Sequence, residues 1–267
     1  MFDTIQKDII AEYRYDISKH AKGKEKQLVR MCYDAVPKQL AKELKKFQYS
    51  TVEKGQTRRK YGGSVQWLKD SEIVNACFNV HEPYLPLMAN SNEDQFKLYI
   101  NDTGLLCCMY GFETKLAVLN DTLRGNARGG IYENIISECL IKRGYTLYYF
   151  KPDSEHEIEF LIEKNGEVVP VEVKAGNTAT VSLNNYIKDF SPSIAYKLAG
   201  SRNGKVTVKE TLPHYMGECK IKCVSSFFLT YTLYFTISIG CFSSSLKKDC
   251  GWQTIHRANS AAGIMPF

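Results

Sequence analysis

The chain has 267 residues, enough for one large domain or two small ones and for a sizeable buried core. Its 44% hydrophobic and 24% charged residues are ordinary for a soluble globular protein, and a net charge of +6 with a pI near 8.7 favours an anionic partner such as nucleic acid. Nine scattered cysteines without a C-x-x-C pair suggest neither a zinc site nor a disulfide framework, so reduced thiols and a cytoplasmic location are expected.

The opening MFDTIQKDIIAEYRYD is too charged for a signal peptide. Residues 1–35 read as charged helices broken at AKGKEK, and VPKQLAKELKKF reads as a short helix opening at Pro37, a residue suited to a first turn. A second helical stretch follows, with Val65, Trp67, Leu68 and Ile73 as its apolar residues, although Gly62 and Gly63 each cost about 1 kcal/mol relative to alanine. IVNACFNV then takes strand character. Helix, helix, strand is the outline of a winged helix, and eight basic residues against two acids lie between Lys38 and Lys60. Lys54, Arg58, Arg59 and Lys60 are therefore the candidate nucleic-acid contacts, with a solvated face of a protein-binding domain as the alternative.

FKLYINDTGLLCCMYG predicts a strand, an Asp-Thr cap and a short apolar helix, and LRGNARGG a connector. In the next helix Tyr132, Ile135, Ile136, Cys139 and Leu140 define one buried stripe; Glu133 falls at its edge and Glu138 points away. YTLYYF is a strand. EIEFLIEKNGEVVPVEVKAG is two alternating runs joined by Asn165-Gly166, the strongest short hairpin signal. A two-residue turn there sets Lys164 opposite Glu167, Glu159 opposite Glu172 and Glu157 opposite Lys174, with Ile158, Phe160 and Ile162 against Val169, Val171 and Val173 on the core face. Two carboxylates side by side are tolerable if water or Lys174 screens them, and favourable if a divalent cation lies between them. SLNNYIKDF suggests a further helix and SIAYKLAG a further strand.

A helix with one acid, a strand acid and then Glu-x-Lys on the following strand resembles the PD-(D/E)XK, or restriction-endonuclease-like, core. The expected fold is α/β: a helical and winged-helix region at 1–90, a connector at 91–125, and a mixed sheet flanked by helices at 126–217. The resemblance implies a Mg2+ held by Glu133, Glu159 and Glu172, polarising a phosphodiester and lowering the pKa of an attacking water, with Lys174 stabilising developing charge. A closer resemblance runs through PKQLAKELKKFQYS, SVQWLKDSEIV, FKLYINDTGLL, GGIYENIISECLIKRGYTLYYF, the hairpin and LPHYM. Together these look like the C-terminal half of a prokaryotic AAA-type ATPase family, in which a P-loop domain precedes a winged-helix region and a domain of unknown function with the nuclease-like fold. That family usually has Asp where this chain has Glu159.

No G-x-x-x-x-G-K-[ST] occurs and AKGKEK lacks the spacing, so no ATP-binding residues and no ATPase activity are expected from this chain. The expected function is a DNA- or partner-binding region of such an ATPase with a Mg2+-dependent nuclease-like site; the alternative is a non-catalytic interaction module with a salt-bridge cluster. DNA, a protein partner and the ATPase domain of full-length relatives are the expected partners. The five histidines show no ligand spacing, His156 alone lying beside the charged strand. From Cys223 to Leu246 no residue is charged, and 218–267 reads as an atypical, frame-shifted tail in preference to a membrane anchor at 224–242.

Overall fold

The computed structural model describes residues 2–214 apart from 22, 24, 177–179 and 201–203. The tail at 218–267 and the anchor considered at 224–242 lie outside the described residues, and no described helix is long and apolar enough to cross a membrane.

Helices α1 (Phe2–His20) and α2 (Glu25–Leu40) part at Gly23, whose φ of +53° no helix accommodates. Val29, Cys32, Tyr33, Val36 and Leu40 recur at helical spacing on α2 and are all buried. That stripe carries the helix through Pro37, which does not open a new helix. Proline lacks one N–H, so the helix forfeits a single bond near its end, while the Pro37 carbonyl still accepts from Ala41 N. A short helix α3 (Tyr49–Val52) leads to α4 (Arg58–Asp70), which tolerates Gly62 and Gly63 because Tyr61, Val65 and Leu68 bury one face around them.

Strands β1 (Val74–Val80) and β2 (Ser91–Ile100) form an antiparallel pair. Asp102 then caps α5 (Thr103–Tyr110) by accepting from Leu105 N at 2.9 Å, and α6 (Phe112–Leu119) follows. Helix α7 (Asn126–Lys142) already includes most of the expected LRGNARGG connector. Its Gly130 sits on the end of α2: a Cβ there would lie 2.2 Å from the Leu40 carbonyl oxygen, so only glycine permits this approach. Strands β3 (Leu147–Phe150), β4 (Ile158–Lys164) and β5 (Glu167–Lys174), helix α8 (Val181–Phe190), and strands β6 (Ala195–Ala199), β7 (Gly204–Val206) and β8 (Lys209–Leu212) complete the order.

All eight strands join one mixed sheet in the order β2-β1-β3-β4-β5-β6-β8-β7. The helix, helix, strand order expected of a winged helix is present, but β1 pairs in parallel with β3 from Cys77–Leu147 to Val80–Phe150. The would-be wing is thus part of the main sheet. One face of the sheet packs against α1, α2, α4, α5 and α7 through Val36, Leu68, Leu106, Ile136, Phe160 and Val171. The other carries Tyr148, Phe150, Ile158 and Leu161 beneath Leu183 and Tyr186 of α8.

Candidate functional site

The hairpin forms in the expected register, from Lys164–Glu167 to Phe160–Val171, with Asn165 at φ +54° and Gly166 at +80° supplying the turn. Regular pairing stops there. On β3, Tyr148 and Phe150 face Leu161 and Ile158, so three steps of β4 oppose two of β3 and the extra residue falls at Glu159–Phe160. Such a bulge re-aims side chains. It also breaks the alternation expected of the core face, because Ile158 joins the α8 side while Phe160 and Ile162 face the other.

Glu159, 7% exposed, accepts the Val173 N–H at 3.1 Å and a hydrogen bond from Lys174 Nζ at 2.9 Å. The same ammonium lies 3.0 Å from Glu172 Oε1. Glu172 is 0% exposed; its Oε1 meets the Lys174 ammonium, while its Oε2 accepts no hydrogen bond among the described residues. Burial raises the pKa of Glu159 against the pull of Lys174, with Glu133 and Glu172 adding to the rise. Burial likewise raises Glu172, opposed by Lys174, Lys197 and Lys209. Lys174 is held above its ordinary range because Glu159 and Glu172 outweigh its own desolvation. Lys174 thus occupies the space between the two carboxylates.

Glu133 does not join that trio. It is buried on α7 and meets Lys45 at 3.0 Å, Lys97 at 3.4 Å and the Tyr99 hydroxyl at 3.0 Å. Glu157 is not drawn to Lys174 either. It pairs with Lys97 and, at 3.3 Å, with Lys151; burial would raise its pKa, yet these lysines hold it down at about 2. Lys97 is 1% exposed in the middle of β2, 4.9 Å from the Tyr149 ring, and Glu157, Tyr99 and Glu133 keep its ammonium charged against desolvation. Lys45, Lys97, Lys151 and Tyr99 were missed by sequence reasoning. The signal was the run Phe96-Lys97-Leu98-Tyr99-Ile100: a lysine amid apolar neighbours on both faces requires a buried acid.

The dismissed Glu138 also turns inward. Thr103 N and Oγ1 donate to it at 3.0 and 2.8 Å and Lys142 pairs with it, because α5 covers the side of α7 that helical periodicity assigned to solvent. His156 closes a turn with Asp153 at 2.8 Å instead of reaching the carboxylate cluster. His214 stacks on Tyr132, with ring centroids 4.1 Å apart, and donates to the Lys174 carbonyl; burial lowers its pKa to about 4, so it is neutral at pH 7.

Among the described residues no group of three His, Cys, Asp or Glu side chains is placed to hold a metal ion. The residues thus do not fit a three-carboxylate Mg2+ site: one carboxylate is committed to Lys45, Lys97 and Tyr99, and a lysine already lies between the other two. Of the candidate nucleic-acid contacts, Lys54 and Arg59 are exposed, whereas Arg58 pairs with Asp94 and Lys60 with Glu53 at 2.5 Å. The basic surface at the start of α4 is therefore half neutralised.

A family model described as Domain of unknown function (DUF8612) matches residues 1–116, and one described as Domain of unknown function (DUF4143) matches residues 128–214. No curated protein and no solved structure matches the chain.

Proposed function

We propose that this chain is the non-motor, C-terminal portion of an AAA-type ATPase and acts as a non-catalytic protein-interaction module. In this reading the sheet is restriction-endonuclease-like in layout, and its charged residues hold the molecule together instead of cutting nucleic acid. Domains with the description matched at 128–214 are commonly associated with AAA ATPases, which supports the attachment to a motor. The carrying observation is the Lys174 ammonium within 3.0 Å of both Glu159 and Glu172, while Glu133 is engaged elsewhere. Ion pairs on Arg58 and Lys60 favour a protein over DNA, since phosphate binding draws on uncompensated cations.

A second reading, Mg2+-dependent phosphodiester cleavage, is favoured by one observation: the buried Glu172 Oε2, which accepts no hydrogen bond among the described residues. Glu159 and Glu172 would hold such an ion only with the Lys174 ammonium displaced from between them, and the ion would supply Lewis-acid chemistry there. The discriminating experiment incubates the purified chain with Mn2+ or Mg2+ and end-labelled DNA and RNA, alongside Mn2+ titration followed by electron paramagnetic resonance. The module reading expects no Mn2+ site and no cleavage, with binding to the P-loop domain of a full-length relative. Cleavage lost in Glu172→Gln with Mn2+ binding retained by the parent chain would overturn it.

A further inference from the structure

Helix α7 lies almost entirely in the stretch matched at 128–214, yet its buried polar side chains find partners in the stretch matched at 1–116. Asn134, 0% exposed, accepts from Ile100 N at 2.8 Å and donates to the Ile100 carbonyl and to Thr103 Oγ1, both at 2.9 Å. β2 is the last strand of the sheet on that side, so the Asn134 amide stands where a neighbouring strand's peptide group would pair. Glu133 relies on Lys45, Lys97 and Tyr99, all of the first stretch. Glu138 takes both Thr103 donors. Gly130 lets this helix come down onto the Leu40 carbonyl.

The dependence continues across the sheet. β1 is joined to β3, Lys151 N donates to Asn79 Oδ1 at 3.2 Å, and Leu87 N donates to the Glu163 carboxylate at 2.6 Å. The buried rings of Tyr99 and Phe160 lie 5.6 Å apart. Parted, each stretch would bare an apolar strand edge and leave buried donors, acceptors or charges without partners. Stability is a small difference between large terms, so several such losses together outweigh what either stretch retains. The covalent link is peripheral by comparison: Asn120, Asp121, Thr122, Arg124, Gly125 and Asn126 are all exposed.

We infer that the stretches matched at 1–116 and 128–214 are obligate partners of each other. Neither folds alone, and a chain cut between them stays together as one non-covalent particle. The partner that the buried face of α7 and the free edge of β3 fit is therefore the chain's own first stretch, and this surface is not open to another protein. The inference does not depend on whether the Glu172 cluster cuts nucleic acid.

A site-specific protease sequence inserted between Arg124 and Gly125 of the full chain tests it. After folding and cutting, the two pieces are expected to co-elute with the size and circular dichroism of the uncut chain. They should separate only in urea and re-form the particle when mixed and diluted from it. Asn134→Leu keeps the side chain's size but strips Ile100 and Thr103 of their partner, so in the cut chain it should weaken the association of the pieces about tenfold or more. The parent chain, without any insertion, should unfold in urea in one transition. Four results overturn the inference: pieces that part in native buffer; a single piece that keeps its circular dichroism alone; an association indifferent to Asn134→Leu; and two urea transitions in the parent chain.

Discussion

Two charged regions lie a few residues apart and are built on different terms. The first runs Lys45–Glu133–Lys97–Glu157–Lys151, alternating in sign, with three cations for two carboxylates. The second, Glu159–Lys174–Glu172, has two carboxylates in contact with one ammonium. The first tolerates burial because each carboxylate touches two lysines, so the desolvation of its acids is offset. The second is short of positive charge, and both of its carboxylates are pushed towards the protonated form. A crowd of acids and lysines in sequence thus separates into a region that fastens the sheet and a region that titrates.

That contrast can be broken by substitution, beginning with its largest element. Lys97→Met leaves Glu133 and Glu157 desolvated without the cation they share, and is expected to destabilise the chain by about 3–5 kcal/mol in urea unfolding. A loss below about 1 kcal/mol would show that water reaches the first region and that the contrast is false. Lys174→Met is expected to cost less, about 2 kcal/mol at pH 8 and little at pH 5, because its two carboxylates can take up protons when the ammonium is removed.

The pH dependence of stability sharpens the contrast further, since the two regions should slope in opposite directions. Glu157 has a folded pKa of about 2, below its ordinary 4.5, so its contribution is present above 4.5 and is lost as pH falls towards 2. Glu159 and Glu172 have raised folded pKa values, so theirs is present below the ordinary range and is lost as pH rises through the folded values. Glu159, raised to about 7, places its loss in the neutral range, so Glu159→Gln should flatten the neutral limb and add about 1 kcal/mol at pH 8 in thermal denaturation, while leaving the acid limb unchanged. The smallest effect is expected from Lys151→Ala. This rim lysine is 23% exposed in its side chain and 3.3 Å from Glu157, so its loss should cost about 0.5–1 kcal/mol, erased in high salt.

Much of the fold was legible because it depends on local rules. Asn165-Gly166 fixed the hairpin register, Asp102 fixed the start of a helix, and apolar spacing marked the strands and most helices. What escaped depends on distant packing. The bulge that redirects Glu159 arises from the third strand, β3. The inward turn of Glu138 comes from α5 covering α7, and the parallel β1–β3 pairing joins residues some seventy positions apart. Within the site, Glu159, Glu172 and Lys174 were found from register and spacing. Lys97 was not, since no motif contains it and only burial on both faces of β2 reveals its need for acids.

The buried lysine has a last consequence, for inheritance. Lys97 belongs to the stretch matched at 1–116, whereas Glu133 and Glu157, its counterions, belong to the stretch matched at 128–214. Recombination that parted the two stretches would strand a charge in each, in addition to baring the edge of β3.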